Sequence, residues 1–95
     1  MRYALITGGL GLIGTFIAKE LLRRKKVDKI VCLDHFGRYV SSTKSSFVDY
    51  RKWRIEYLGN KVIIERGDSK FHTVVIKILL KYKPTYIFHL AALPL

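Results

Sequence analysis

A glycine-rich stretch decides the fold of this chain, and it reads Thr7-Gly8-Gly9-Leu10-Gly11-Leu12-Ile13-Gly14. The stretch directly follows the apolar residues 3–6 and opens into a helical pattern. A strand, a glycine-rich turn and a helix N-terminus in this order form a cradle for phosphate, because the free N–H groups and the positive end of the helix dipole favour an anion. The stretch therefore predicts a nucleotide-binding site.

Three glycines of the stretch have separate predicted roles. Gly9 is expected to take a positive φ in the tight turn out of the strand. Gly11 has no side chain, so a pyrophosphate can approach the backbone, and Gly14 lets the helix sit close against the strand. The alternative is a turn that only packs the helix on the strand. Asp34 favours the nucleotide site, because it ends a second apolar run about 20 positions further on, where such sites carry an acidic residue.

The composition indicates one small domain with a hydrophobic core. The chain has 95 residues, of which 49% are hydrophobic, and this is too apolar for a disordered protein. Its single cysteine, Cys32, lies in an apolar run and is expected to be a small buried hydrophobe. The first strand begins by residue 3, which leaves no room for a signal peptide, and the longest uncharged run is too short for a bilayer. We expect a cytoplasmic protein with no membrane partner.

The formal net charge of +11 raises the hypothesis of a nucleic-acid partner. The cations are scattered over the predicted helices rather than clustered, and solvated helix faces are the favoured interpretation. Nucleic acid is therefore the less favoured partner. The charged positions on the three helices are Arg23, Arg24, Lys25, Lys26, Arg51, Lys52, Arg54, Lys77, Lys81 and Lys83.

Hydrophobic periodicity predicts three helices. The first covers residues 12–25, and the second ends at Gly59-Asn60. The third covers residues 71–82, with Asp68 or Ser69 as its N-cap. The apolar sides predicted to face the core are Ile13, Phe16, Ile17 and Leu21 on the first helix, Phe47, Tyr50, Trp53, Tyr57 and Leu58 on the second, and Phe71, Val74, Val75, Ile78, Leu79 and Tyr82 on the third.

Strands are predicted at residues 3–6, 29–34, 61–65 and 86–91, so strands and helices alternate along the chain. Such alternation with short connections predicts an α/β fold: a parallel sheet with right-handed crossovers and helices on both faces. The expected strand order is 3-2-1-4, with a ligand over the carboxyl ends of the strands. The glycine-rich stretch, Asp34, Gly67-Asp68 and residues 90–92 all fall at those ends.

Three spaced motifs resemble those of the extended short-chain dehydrogenase/reductase family, also called the NAD-dependent epimerase/dehydratase family. They are the glycine-rich stretch, Gly67-Asp68 after strand three, and His89-Leu90-Ala91-Ala92 at the end of strand four. The resemblance implies a Rossmann-type sheet that is truncated after strand four. Residues 1–95 would then be the N-terminal part of a single NAD(P)-binding Rossmann domain.

The resemblance also implies the residues that bind the cofactor. Asp34 would bind the adenosine ribose, while the Asp68 carboxylate and the Ser69 N–H would meet the adenine. NAD is favoured over NADP, because Asp34 would repel a 2′-phosphate and accept bonds from a free 2′-OH; Arg38 is the one residue that favours NADP. The pyrophosphate would lie on Gly8, Gly11, Leu12, Ile13 and Gly14. At the end of strand four, small residues would let the cofactor lie close, and the contacts there would come from Leu90, Ala91 and Ala92.

No catalytic residue is assigned in this chain. The family uses a Ser or Thr with Tyr-x-x-x-Lys on a helix after strand five, beyond the last predicted strand here. Tyr57 and Lys61 match the spacing, but the predicted helix stop at Gly59-Asn60 separates them, and we reject the pair. His35 and His72 are scattered, and no cluster has metal-ligand spacing.

The resemblance implies an enzyme in full-length form. We expect an NAD-dependent epimerase or dehydratase that acts on a nucleotide sugar by transient hydride transfer, with homodimerisation left open. The alternative is a non-catalytic dinucleotide-sensing or RNA-binding relative, which the charge of +11 would suit. A downstream Tyr-x-x-x-Lys would distinguish the two.

Overall fold

The computed structural model describes residues 1–35 and 51–91. The predictions for Arg38, Phe47, Tyr50 and Ala92 lie outside these residues. The described strands are β1 (Tyr3–Thr7), β2 (Lys29–Asp34), β3 (Val62–Arg66) and β4 (Tyr86–His89). The helices are α1 (Leu12–Arg23), α2 (Arg51–Leu58) and α3 (His72–Tyr82), and a 3-10 turn, Gly59–Lys61, links α2 to β3.

The four strands form one parallel sheet in the order β3-β2-β1-β4, which confirms the predicted order 3-2-1-4. Leu5 on the central strand lies opposite Val31 of β2 and Ile87 of β4. All strands run the same way, so their carboxyl ends meet along one edge of the sheet. The predicted ligand-binding motifs are carried to that edge.

Helices cover both faces of the sheet, as predicted. On one face, Ala4, Ile6 and Cys32 are buried under α1 and α2. On the other, Leu5, Val31 and Leu33 pack against Ile78 of α3. The alternation of strand side chains between the two faces places consecutive residues of β1 in different core clusters.

The predicted packed side of α1 was partly wrong. The buried residues are Gly14, Thr15 and Ala18, whereas the side chains of Ile13 and Phe16 are 65% and 59% exposed. The helix lies close to the sheet through its small residues, and this rotates the large side chains away from the core. Of the predicted set, Ile17 and Leu21 do pack against the core cluster. The helix also ends at Arg23, two residues earlier than predicted.

The aromatic stripe predicted for the core side of α2 was wrong for its described members. Trp53 is 60% exposed, and its ring stacks on that of Tyr57 with centroids 5.3 Å apart. Leu58 is buried and Ile55 packs beside it, so the contact with the core passes through aliphatic side chains. The aromatic pair lies on the outer surface of the helix.

The apolar periodicity of α3 identified its core side except at Phe71, which precedes the helix and is exposed. Ile78 is buried, and Val74, Val75, Leu79 and Tyr82 pack around it. The predicted N-cap was wrong, because Phe71 holds that position and no side chain caps the helix. The helix ends at Tyr82, and its C-cap residue Lys83 takes a left-handed φ of 48° just before Pro84.

Candidate nucleotide-binding site

The carboxyl ends of the four strands form one continuous ledge. The N–H of Gly8 donates to the Leu33 carbonyl at 2.8 Å, and the N–H of Gly67 donates to the Asp34 carbonyl at 3.1 Å. On the other side of β1, the N–H of Leu90 donates to the Thr7 carbonyl at 3.1 Å. Each loop is thus bonded to the neighbouring strand, which brings together the strand ends that the sequence singled out.

Thr7 joins the ends of β1 and β4 through its side chain. Its buried hydroxyl oxygen accepts N–H bonds from Leu90 at 3.1 Å and Ala91 at 3.3 Å. The same hydroxyl lies 2.7 Å from Nδ1 of His89. His89 therefore has a structural contact at the end of its strand. The sequence analysis quoted Thr7 within the motif but assigned it no role, since the partners lie more than 80 positions away.

The glycine roles differ in one respect from the prediction. Gly8, not Gly9, has the positive φ, at 69°. Gly9 is needed for space, because a Cβ there would lie 2.6 Å from Sγ of Cys32. Gly14 is needed for close packing, because its Cβ would lie 2.9 Å from the Gly9 Cα. The helix therefore rests directly on the turn.

Gly11 lies on the exposed side of the turn, in front of α1. A Cβ there would meet only the Gly8 carbonyl, in a tight contact at 3.2 Å. As the N-cap residue it makes no side-chain bond, and the first turn of α1 holds no acidic residue. The first N–H groups of the helix, beginning at Leu12 and Ile13, have no intrahelical acceptor. The arrangement suits an anion at this helix end.

Two side chains hold the turn from behind. The Thr15 hydroxyl donates to the Gly11 carbonyl at 2.8 Å, and Nη1 of Arg54 donates to the Leu10 carbonyl at 2.7 Å. Neither of these two hydrogen bonds was predicted from the sequence. Thr15 is one turn further along the same helix, a position a local pattern could have suggested, but Arg54 comes from α2 and carries no sequence signal for this contact.

The residues predicted for the adenosine side lie at the ends of β2 and β3. Asp34 is the last residue of β2 and is half-buried. Asp68 folds into a tight turn, in which its Oδ1 accepts the N–H of Lys70 at 3.0 Å and its Oδ2 lies 3.7 Å from Nζ of the same lysine. Ser69 is the next residue of that turn. Both predicted adenosine contacts therefore belong to the same edge of the sheet.

The end of β4 lies directly against the glycine turn. A Cβ on Gly8 would come within 3.1 Å of the Ala91 nitrogen and 3.3 Å of the Leu90 carbonyl carbon. The two backbones are therefore in close contact, and small residues suit this junction.

Cys32 is buried under the turn and is unsuited to nucleophilic chemistry. Burial raises the pKa of its thiol to about 12, and the Asp34 carboxylate contributes in the same direction. A thiol with such a pKa is neutral at physiological pH and is a poor nucleophile. It acts as a core side chain, as predicted.

Tyr57 and Lys61 do not share a helical face. Tyr57 lies in the last turn of α2, and Lys61 ends the following 3-10 turn. Gly59 between them has a φ of 82°, which breaks the helix. The Tyr57 ring instead lies 4.6 Å below Nζ of Lys19.

Two open depressions lie along the outer side of α1, away from the ledge. One, of about 610 Å³, is lined by Phe16, Lys19 and Tyr57 among others. The other, of about 510 Å³, reaches from Ile13 to Lys26. Of the residues predicted to bind the cofactor, only Ile13 lines either depression.

Within residues 1–35 and 51–91, no three His, Cys, Asp or Glu side chains come together in a way that could hold a metal ion. None of the helices in these two ranges is long and apolar enough to cross a membrane.

The model of the GDP-mannose 4,6-dehydratase family matches residues 5–94. The chain belongs to this family. The match confirms the resemblance to NAD-dependent epimerases and dehydratases on which the sequence analysis relied. A comparison of this family member with curated proteins found no match.

Solved structures of sugar-modifying enzymes share the fold of this dehydratase-family chain. A dTDP-glucose 4,6-dehydratase from Bacillus anthracis, in complex with NAD, is 18% identical, has a TM-score of 0.70, and is matched over 98% of this chain and 27% of its own. A UDP-glucose 4-epimerase from Thermus thermophilus, also in complex with NAD, is 26% identical with a TM-score of 0.66, over 97% and 24%.

A UDP-glucose 4-epimerase from Bifidobacterium longum, in complex with NAD+ and UDP, is 20% identical with a TM-score of 0.70, over 97% of this chain and 25% of its own. The family member described here thus spans about a quarter of the length of these solved structures.

Proposed function

We propose that residues 1–95 are the NAD-binding portion of a nucleotide-sugar epimerase or dehydratase. The observation that carries the proposal is the uncapped N-terminus of α1, which lies behind the side-chain-free Gly11 where the strand ends meet. The enzymes from Bacillus anthracis and Thermus thermophilus were solved in complex with NAD, which supports NAD as the ligand.

The proposed site residues are those predicted from the sequence, and this arrangement supports them. Gly11 leaves room for the pyrophosphate, and a Cβ there would fill that room. Asp34 would bind the adenosine ribose, and the turn of Asp68 and Ser69 would meet the adenine. The remaining contacts are assigned to Gly8, Leu12, Ile13, Gly14, Leu90, Ala91 and Ala92. We also propose that residues 1–95 belong to a single NAD(P)-binding domain as its N-terminal part.

In this proposal the described residues bind and orient NAD, and none of them is assigned a catalytic role. Bound NAD supplies a hydride acceptor and donor for a sugar carbon. The N–H groups at the start of α1 would neutralise the pyrophosphate charge, and the Gly8–Ala91 contact would set how closely the cofactor lies to the sheet. Proton transfer is assigned to a tyrosine and a lysine downstream of β4. A nucleotide sugar is the proposed substrate, and homodimerisation of the full-length protein is left open.

The proposed function is tested by measuring turnover of nucleotide sugars by the longest soluble form of the protein that contains residues 1–95. GDP-, UDP- and dTDP-linked hexoses deuterated at the sugar carbon C4 would be supplied with NAD, and the products followed by NMR. We expect one nucleotide sugar to be epimerised or dehydrated with its deuterium retained, because the cofactor returns the hydride. Binding of NAD without turnover of any sugar would instead favour a dinucleotide-sensing protein.

A further inference from the structure

The peptide that joins Leu10 to Gly11 is held at both of its polar ends. Its carbonyl oxygen accepts the bond from Nη1 of Arg54 at 2.7 Å, and its N–H donates to the Gly8 carbonyl at 3.0 Å. A trans peptide is planar, so its carbonyl and N–H point in opposite directions. Fixing both groups therefore fixes the plane of the peptide that leads into α1.

The bond to the Leu10 carbonyl crosses between elements. Arg54 lies on α2, 44 positions from Leu10, and its guanidinium is a cationic hydrogen-bond donor. Hydrogen bonds from a charged donor are shorter and stronger than those between neutral groups. Leu10 itself is fully buried, so its side chain anchors the same peptide from the core.

We infer that Arg54 is a positioning residue for cofactor binding, which makes α2 a part of the pyrophosphate site. This inference rests on the proposed NAD site. Arg54 holds the Leu10 carbonyl away from the N-terminus of α1, so that N–H groups rather than a carbonyl oxygen face the bound anion. Without the guanidinium, the peptide keeps only its N–H bond to Gly8 and the anchor of the Leu10 side chain. Its carbonyl is then held less firmly and can tilt its partial negative charge toward the pyrophosphate.

Three variants separate this role from a general effect of charge. Arg54→Ala removes the hydrogen bond to the Leu10 carbonyl, and Arg54→Lys keeps the positive charge and an N–H donor group. Arg23→Ala is the matched control, because it removes one positive charge from an exposed side chain that pairs with Glu20, away from the turn. Calorimetry on the longest soluble form would measure binding of NAD, ADP and adenosine, of which only the first two carry a pyrophosphate.

We expect Arg54→Ala to weaken NAD and ADP about tenfold, the scale of one charged hydrogen bond. The affinity of Arg54→Ala for adenosine should change by less than about twofold. The affinities of Arg23→Ala for all three ligands should also change by less than about twofold. Arg54→Lys should restore most of the loss. The inference is overturned if Arg54→Ala keeps its affinity for NAD, if Arg23→Ala loses as much, or if adenosine weakens in parallel with NAD.

Amide hydrogen exchange without any ligand gives a second test, which does not depend on NAD. The Gly11 N–H, bonded to the Gly8 carbonyl, should exchange faster in Arg54→Ala while the amides of β1 and β2 keep their protection. Unchanged Gly11 exchange would overturn the positioning role. Failure of the unaltered protein to bind NAD would instead count against the proposed function.

Discussion

At the scale of single residues, the glycine turn shows what spacing can and cannot predict. The spacing of Gly11 and Gly14 predicted an open approach and a close helix contact, and the structure has both. It misplaced the positive φ, which belongs to Gly8. Spacing gives the order of the glycines along a turn, but it does not show which glycine takes the positive φ, or that the Cys32 side chain fills the space beside Gly9.

Asp34 is predicted to set the choice between NAD and NADP. Asp34→Ala removes an acceptor for the 2′-OH and a repulsion of the 2′-phosphate, so NAD should lose about 1–3 kcal/mol relative to NADP. The measurement is the ratio of the two dissociation constants. Glu56→Ala, which removes an exposed carboxylate from α2, is the control and should leave the ratio unchanged. An unaltered ratio in Asp34→Ala would exclude the role.

Cys32 is predicted to make stability fall at alkaline pH. Burial raises the pKa of its thiol from 9.0 to about 12, so the folded chain keeps the thiol neutral where the unfolded chain ionises it. The contribution is complete below pH 9.0 and is lost as the pH rises toward about 12. Urea unfolding should show a steeper decline in this range for the unaltered chain than for Cys32→Ala. Equal slopes would contradict the assignment.

At the scale of elements, periodicity worked for α3 and misled for α1 and α2. In α3 the large apolar side chains make the contact with the sheet, so their spacing marks the buried side. In α1 the contact is made by Gly14, Thr15 and Ala18, residues that a hydrophobicity pattern weights lightly. The exposed Trp53 of α2 shows the converse error, since a large apolar side chain is not always in the core.

The two sides of α3 are predicted to differ sharply in their effect on stability. Ile78 is 5% exposed, whereas Leu80 on the same helix is 69% exposed. Ile78→Ala should lower the free energy of unfolding by about 2–5 kcal/mol through lost burial and a cavity. Leu80→Ala should change it by less than about 0.5 kcal/mol. Chemical unfolding of both variants tests this, and similar losses would show that the buried side is assigned wrongly.

At the scale of the whole molecule, the strand order could be predicted because parallel crossovers allow few alternatives. The chain order of strands and helices was enough to place four strand ends on one edge. Contacts between distant side chains were not predictable, because those of Thr7 with His89 and of Arg54 with Leu10 depend on rotamers and on the fit of one element against another. The sequence thus predicted which strand ends lie together but not the side-chain contacts that brace them.

Calorimetric titration of NAD into the longest soluble form that contains residues 1–95, unaltered and as Gly11→Val, is the sharpest test of the proposed NAD site. A Cβ at Gly11 would meet only the Gly8 carbonyl, in a tight contact at 3.2 Å, so a melting curve checks that the variant folds, while its branched side chain would occupy the proposed pyrophosphate position. We predict one NAD bound per unaltered chain and at least about a tenfold loss, or 1.4 kcal/mol, in the variant. Equal affinity in the two proteins, or no binding to the unaltered one, would contradict the account.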